Sequence, residues 1–202
     1  MDIEKGDDVM KKVITLLLAV MMAFALAGCG GKQNDSKEDQ KGGESQYAEA
    51  LEVLNEIVKV YSEDQLFAMY GGNQENAVMD APGKFDVSKT DELENVYGLP
   101  ADQSANIEDA ASMVHMMNAN TFTGIVCRLK DGVDMDAFVD SVKSSILARQ
   151  WICGQPDTLV IINVDGRYVA VAFGVAEMME DFKTNALSAL SGSQVITEAP
   201  VV

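Results

Sequence analysis

A largely apolar run without a charge, Val13 to Ala27, lies near the start of this chain, and farther along apolar residues recur either at helical spacing or in alternation. Tyr47, Leu51, Leu54, Ile57, Val58 and Tyr61 lie three and four apart, which predicts an amphipathic helix over 46–61 with Ser45 near its start. Leu66, Phe67, Met69 and Tyr70 either extend it or dock as a short segment before Gly71-Gly72 breaks the pattern. Pro82-Gly83 signals a turn between two short apolar pieces within 77–87. Asn106 followed by Ile107, Glu108 and Asp109 has the form of a capped helix start with first-turn acids, and predicts a helix over 106–118.

Ile125, Cys127 and Leu129 alternate onto one face of a strand predicted over 121–130, which Asp131-Gly132 turns. Asp134 or Asp136 then caps a helix that carries Met135, Phe138, Val142 and Ile146 toward the core. Asp165-Gly166 between two alternating runs specifies a two-residue type I′ hairpin pairing Val164 with Arg167, Ile162 with Val169 and Val160 with Val171. A last helix over 176–190 presents Met178, Phe182, Ala186 and Leu190, Gly192 ends it, and 193–202 adds an edge strand or stays loose. The predicted fold class is α+β: an antiparallel or mixed sheet packed on one face by helices, with a strand-helix-hairpin-helix C-terminal half.

Charge narrows the function. The 202 residues carry 32 acidic and 15 basic side chains, a net charge of −17. Residues 1–28 hold four acidic and three basic groups, so the rest keeps 28 and 12, a net of −16. With no basic patch, nucleic acid and a polybasic grip on anionic lipid are both excluded as partners. Gly30 to Ser45 reads GGKQNDSKEDQKGGES, with nothing large and apolar to bury, and is expected to be a flexible tether. The remainder, 46–202, suits a single α+β domain.

The opening run explains the tether. Met10-Lys11-Lys12 precedes Val13 to Ala27, 15 residues without a charge, and Leu26-Ala27-Gly28-Cys29 follows. The run is shorter than the ~20 residues of a membrane-crossing helix and has the form of a secretory leader. Leu26-Ala27-Gly28-Cys29 resembles the lipobox of bacterial lipoproteins. That resemblance implies cleavage between Gly28 and Cys29 and a diacylglycerol on the Cys29 sulfur, an anchor to membrane lipid on the extracytoplasmic face. Met1 to Val9 is acidic where a leader is basic, so Met10 is the expected true start. The leader, the tether and the segments PGKFDV, MVHMMNANTFT and QWICGQPD are together similar to an uncharacterised family of small lipoproteins from anaerobic Gram-positive bacteria. The family implies no activity and no functional residue beyond Cys29.

Within the domain each candidate has an ordinary structural reading beside it. Met113, His115 and Met117 invite a soft metal, yet methionine is a common core filler and helical spacing turns His115 away from Met113. Asp131, Asp134, Asp136 and Asp140 lack the spacing of a calcium loop and fit turn formation and capping. Cys127 and Cys153 either pair as a disulfide or remain two buried thiols, and their spacing does not make a redox motif. Trp151, the sole tryptophan, either lines a binding surface or closes one end of the core. No catalytic residue, metal or cofactor is assigned. The expected function is a membrane-tethered binding or interaction module of the cell envelope, with an envelope protein as the expected partner; the alternative is a hydrolase of cell-wall or extracellular substrate using paired carboxylates. An exposed apolar patch around Trp151 favours the first, and a cleft with two carboxylates favours the second.

Overall fold

The computed structural model describes residues 45–152 and 154–202. The leader, Cys29, the tether to residue 44 and Cys153 lie outside them.

Eight strands form one sheet in which every pairing is antiparallel: β1 (Met69–Gly71), β2 (Val78–Met79), β3 (Gly83–Phe85), β4 (Ile107–His115), β5 (Phe122–Leu129), β6 (Thr158–Val164), β7 (Tyr168–Gly174) and β8 (Gln194–Pro200). The order is β2-β1-β4-β5-β7-β6-β8, and β3 also pairs with β4. Four α-helices are described: α1 (Ala50–Lys59), α2 (Thr90–Asn95), α3 (Met135–Ala148) and α4 (Ala176–Ala189). The class is α+β, but the helices cover both faces of the sheet rather than the one expected. Val53, Leu54 and Ile57 of α1 join Met179, Phe182 and Ala186 of α4 over one face. Phe138, Val142 and Ile146 of α3, with Leu93 of α2, cover the other. All seven residues of β7 are buried, so the central strands read as continuous apolar runs without the alternation that marks a one-sided sheet.

That double burial misdirects the sequence at β4. Residues 106–118 were expected to be a helix, and Ile107–His115 is instead a central strand paired with β5 from Ile107↔Leu129 to Val114↔Thr123. Ala110 and Val114 face α3 while Ala111 and Met113 face α1. Both sets are apolar, so no polar alternation betrays the strand, and Ile107, Ala110, Ala111 and Val114 happen to satisfy helical spacing. The acids serve other elements. Asp109 Oδ2 accepts the Ala50 N–H at 2.7 Å, so it caps α1, whose own N-cap residue Glu49 makes no side-chain cap bond.

The hairpin turn forms where expected, with φ of 50° at Asp165 and 77° at Gly166, but its register is one residue off. Val164 pairs with Tyr168, Ile162 with Ala170 and Val160 with Ala172. Arg167 is the extra residue: its carbonyl accepts the Leu129 N–H of β5 at 3.0 Å, and its guanidinium reaches Asp131 at 2.8 Å and Glu108 at 3.5 Å. The Arg167 N–H still closes the turn on the Val164 carbonyl at 3.2 Å, but its own carbonyl goes to β5, so pairing with β6 starts at Tyr168 and the slip exchanges the faces of β7 relative to β6.

The remaining expectations concern ends. The first helix is shorter than expected, although Tyr47 and Tyr61 beyond its ends are still buried. Asp134 accepts the Ala137 N–H at 3.1 Å and caps α3. Ser193–Val202 supplies edge strand β8 on β6, and Met69 and Tyr70 belong to β1. β1 and β3 share one edge of β4 in succession, with Tyr70 opposite Val114 and Gly83 opposite Ser112. Where they meet, a Cβ on Gly71 would sit 2.0 Å from the Gly83 nitrogen, so only glycine fits the junction. A buried network closes it: the Tyr97 hydroxyl donates to Ser112 Oγ at 2.8 Å, and Ser112 Oγ accepts the Gly72 N–H at 3.0 Å.

Candidate functional site

Antiparallel pairing gives the sheet two ends. At one end lie Ile107, Leu129 and the Asp165-Gly166 turn, and there the described chain begins, with Ser45 Oγ donating to Asp165 Oδ2 at 2.5 Å. At the other, roughly 25 Å away by ~3.4 Å per strand residue, four segments converge: the chain after α1, the β4–β5 loop, the α3–β6 loop and the start of α4. The hydrogen bonds that gather them are specific. Asn120 Nδ2 donates to the carbonyls of Ile152 at 3.0 Å and Gly154 at 2.7 Å, joining the β4–β5 and α3–β6 loops. The Met116 N–H donates to Ala68 O at 2.9 Å and the Val175 N–H to Thr121 O at 2.9 Å.

This far end is apolar and exposed. Ile152 and Met117 are each 81% exposed, Leu66 is 50% and Met116 is 37%. At the same end, half-buried Trp151 meets Phe173 edge-on at 5.1 Å, while the Arg149 guanidinium lies 4.7 Å from the indole centroid. Arg149 is held there by bonds to the Asn95 and Val96 carbonyls. Trp151 Nε1 is buried with no acceptor among the described residues. Trp151 thus closes one end of the core beside Phe173. The four converging segments carry Glu63, Asp64, Asp157 and Glu177, all exposed, against one guanidinium, that of Arg149, so the charge they bring to this end is predominantly acidic.

The Met and His residues of the β4–β5 region occupy three environments. Met113 is fully buried over the α1 face. Two places on, His115 stacks on Phe67 at 5.5 Å and 12°, and its Nδ1 accepts the Met117 N–H at 3.2 Å and the Asn118 N–H at 3.4 Å. With Nδ1 so used, the ring shapes the loop that carries Met116 and Met117 outward. Among the described residues no three His, Cys, Asp or Glu side chains are grouped to hold a metal. Asp131 pairs with Arg167 and Asp134 caps α3, which accounts for two members of the acidic cluster. Cys127 is a fully buried thiol on β5, which burial pushes up from its ordinary pKa; its suggested disulfide partner Cys153 lies outside the described residues, as do Gly28 and Cys29.

Away from this end, a concavity of about 550 Å³ runs between α1 and the β2–β3 turn and is lined by Glu49, Glu52, Glu56 and Asp80 with Lys59 and Pro82. Three of its four carboxylates have local partners. Glu49 pairs with Lys84 and Glu56 with Lys59, and Glu52 accepts the Ala48 N–H at 2.8 Å. Sequence reasoning missed two carboxylates with structural roles, Asp109 and Asp157. Asp157 Oδ2 accepts the Ala176 N–H at 2.9 Å and caps α4 from the start of β6, an arrangement that no local motif signals.

Among the described residues no helix is long and apolar enough to cross a membrane. Comparison of the chain with protein-family models, with curated proteins and with solved structures returned no match.

Proposed function

We propose that this protein is an extracytoplasmic lipoprotein whose domain is an interaction module, anchored through Cys29 and presenting its far end to a partner in the cell envelope. The observation that carries the reading is the exposed apolar surface of Met116, Met117 and Ile152, set at the end of the sheet opposite Ser45. Exposed apolar clusters of this kind mark contact surfaces, because leaving them in water costs ~25 cal/mol per Å². The surface lies at the end of the sheet opposite Ser45, where the described domain begins. The leader and the lipobox-like Leu26-Ala27-Gly28-Cys29 support the address. The groove beside α1 gives the hydrolase alternative no comparable support, since three of its carboxylates are engaged by Lys84, Lys59 and the Ala48 N–H.

Labelled palmitate tests the anchor in cells expressing the full chain. Label is expected in the membrane fraction and is expected to vanish in Cys29→Ala, with the mature protein beginning at residue 29. An unlabelled chain, or a label that survives Cys29→Ala, overturns the reading.

A further inference from the structure

We infer that the far end receives a basic amphipathic segment of another protein. The inference rests on the interaction-module reading and names the chemistry of the partner. Three kinds of occupant fit an exposed apolar surface, and charge separates them. Residues 45–202 carry 24 acidic and nine basic side chains, a net of −15. The segments that converge at this end carry the exposed acids Glu63, Asp64, Asp157 and Glu177, and their single guanidinium, Arg149, is held to the Asn95 and Val96 carbonyls and stacked on Trp151. A second copy would set two acidic ends against each other, and an anionic bilayer would be repelled in the same way. A segment with apolar residues on one side and Lys or Arg on the other meets both features. Its apolar face covers Met116, Met117 and Ile152, and its cations answer the acidic charge of these segments.

The composition of the surface suits such a ligand. Methionine side chains are flexible and polarisable and adapt to apolar faces of differing shape. The loops beneath them are fixed, by Asn120 bonding Ile152 O and Gly154 O and by His115 Nδ1 accepting from Met117 and Asn118. Fixed loops bearing adaptable side chains match the recognition of an amphipathic helix laid on an apolar surface.

Trp151, the sole tryptophan, reports binding directly. The full chain in a nonionic detergent is titrated with a peptide of about 18 residues, with Leu at helical spacing and Lys elsewhere, and with a counterpart carrying Glu in place of Lys. A saturable change in Trp151 emission is expected with the Lys peptide, weakening as salt is raised, and none with the Glu peptide. Met117→Glu and Ile152→Glu, both at highly exposed positions and so compatible with folding, should each weaken the Lys peptide about tenfold or more. Equal response to both peptides, or Lys-peptide binding unaltered in Ile152→Glu, overturns the inference. So does a Trp151 response to anionic phospholipid vesicles that Ile152→Glu abolishes, or a self-associated chain that Ile152→Glu dissociates. The palmitate experiment is independent: an unsubstituted chain that takes up no label but binds the Lys peptide removes the address and leaves the surface, and a labelled chain that does not bind the peptide removes the surface alone.

Discussion

Buried polar hydrogens hold the junction where β1 hands over to β3. Tyr97 donates to Ser112, and Ser112 accepts from Gly72, all beneath the α2 side of the sheet. Burial raises the pKa of Tyr97 and of Tyr61 above 10.0, and that of the Cys127 thiol above 9.0. Each group is neutral in the fold and ionises more readily in the unfolded chain. The stability they contribute is therefore complete below pH 9 and falls as pH rises, first through Cys127 and then above pH 10 through the two tyrosines. Urea midpoints from pH 7 to 11 should decline across that window, and Cys127→Ala should remove the earliest part of the decline. A flat profile to pH 11 would contradict the burial of all three.

At the level of elements, two helices begin on carboxylates supplied by strands. Asp109 of β4 caps α1 and Asp157, at the start of β6, caps α4. Asp109→Ala should cost about 1 kcal/mol, read as a shift in the thermal midpoint. Hydrogen exchange should quicken first at Ala50 to Val53, while β5 to β7 stay protected. Uniform exchange along α1 and the sheet would place the role of Asp109 elsewhere. The same remoteness explains what the sequence disclosed of these elements and what it hid. Asp134 lies beside the helix it caps, and α3 is legible from its start; the start of α1 is set by a residue 59 positions away. Asp165-Gly166 announces its turn, but the register depends on Leu129 taking the Arg167 carbonyl, a contact between strands that no local pattern contains. β4 reads as a helix because helices cover both its faces and both are apolar.

Across the whole molecule, the antiparallel sheet separates two ends with different characters. The end where Ser45 begins is polar, with Arg128, Arg167, Glu108 and Asp131 in linked ion pairs. The far end exposes methionine and isoleucine, on segments whose charged residues are mostly acidic. Of this candidate surface the sequence disclosed Trp151 and the run of methionines, and it offered the exposed apolar patch as the mark of an interaction module. It did not disclose that Asn120 lies beside Ile152 and Gly154, because the bonds that join them span more than thirty residues. Photo-crosslinking in the native membrane compares the two ends directly, with a photoreactive residue at position 152 in one full-length chain and at exposed Ala105, near Lys130, in another. Adducts with a protein from position 152 and none from position 105 are the expected result. Protein adducts from position 105 alone, or lipid adducts alone from position 152, would contradict the assignment of the far end as the surface that meets a partner.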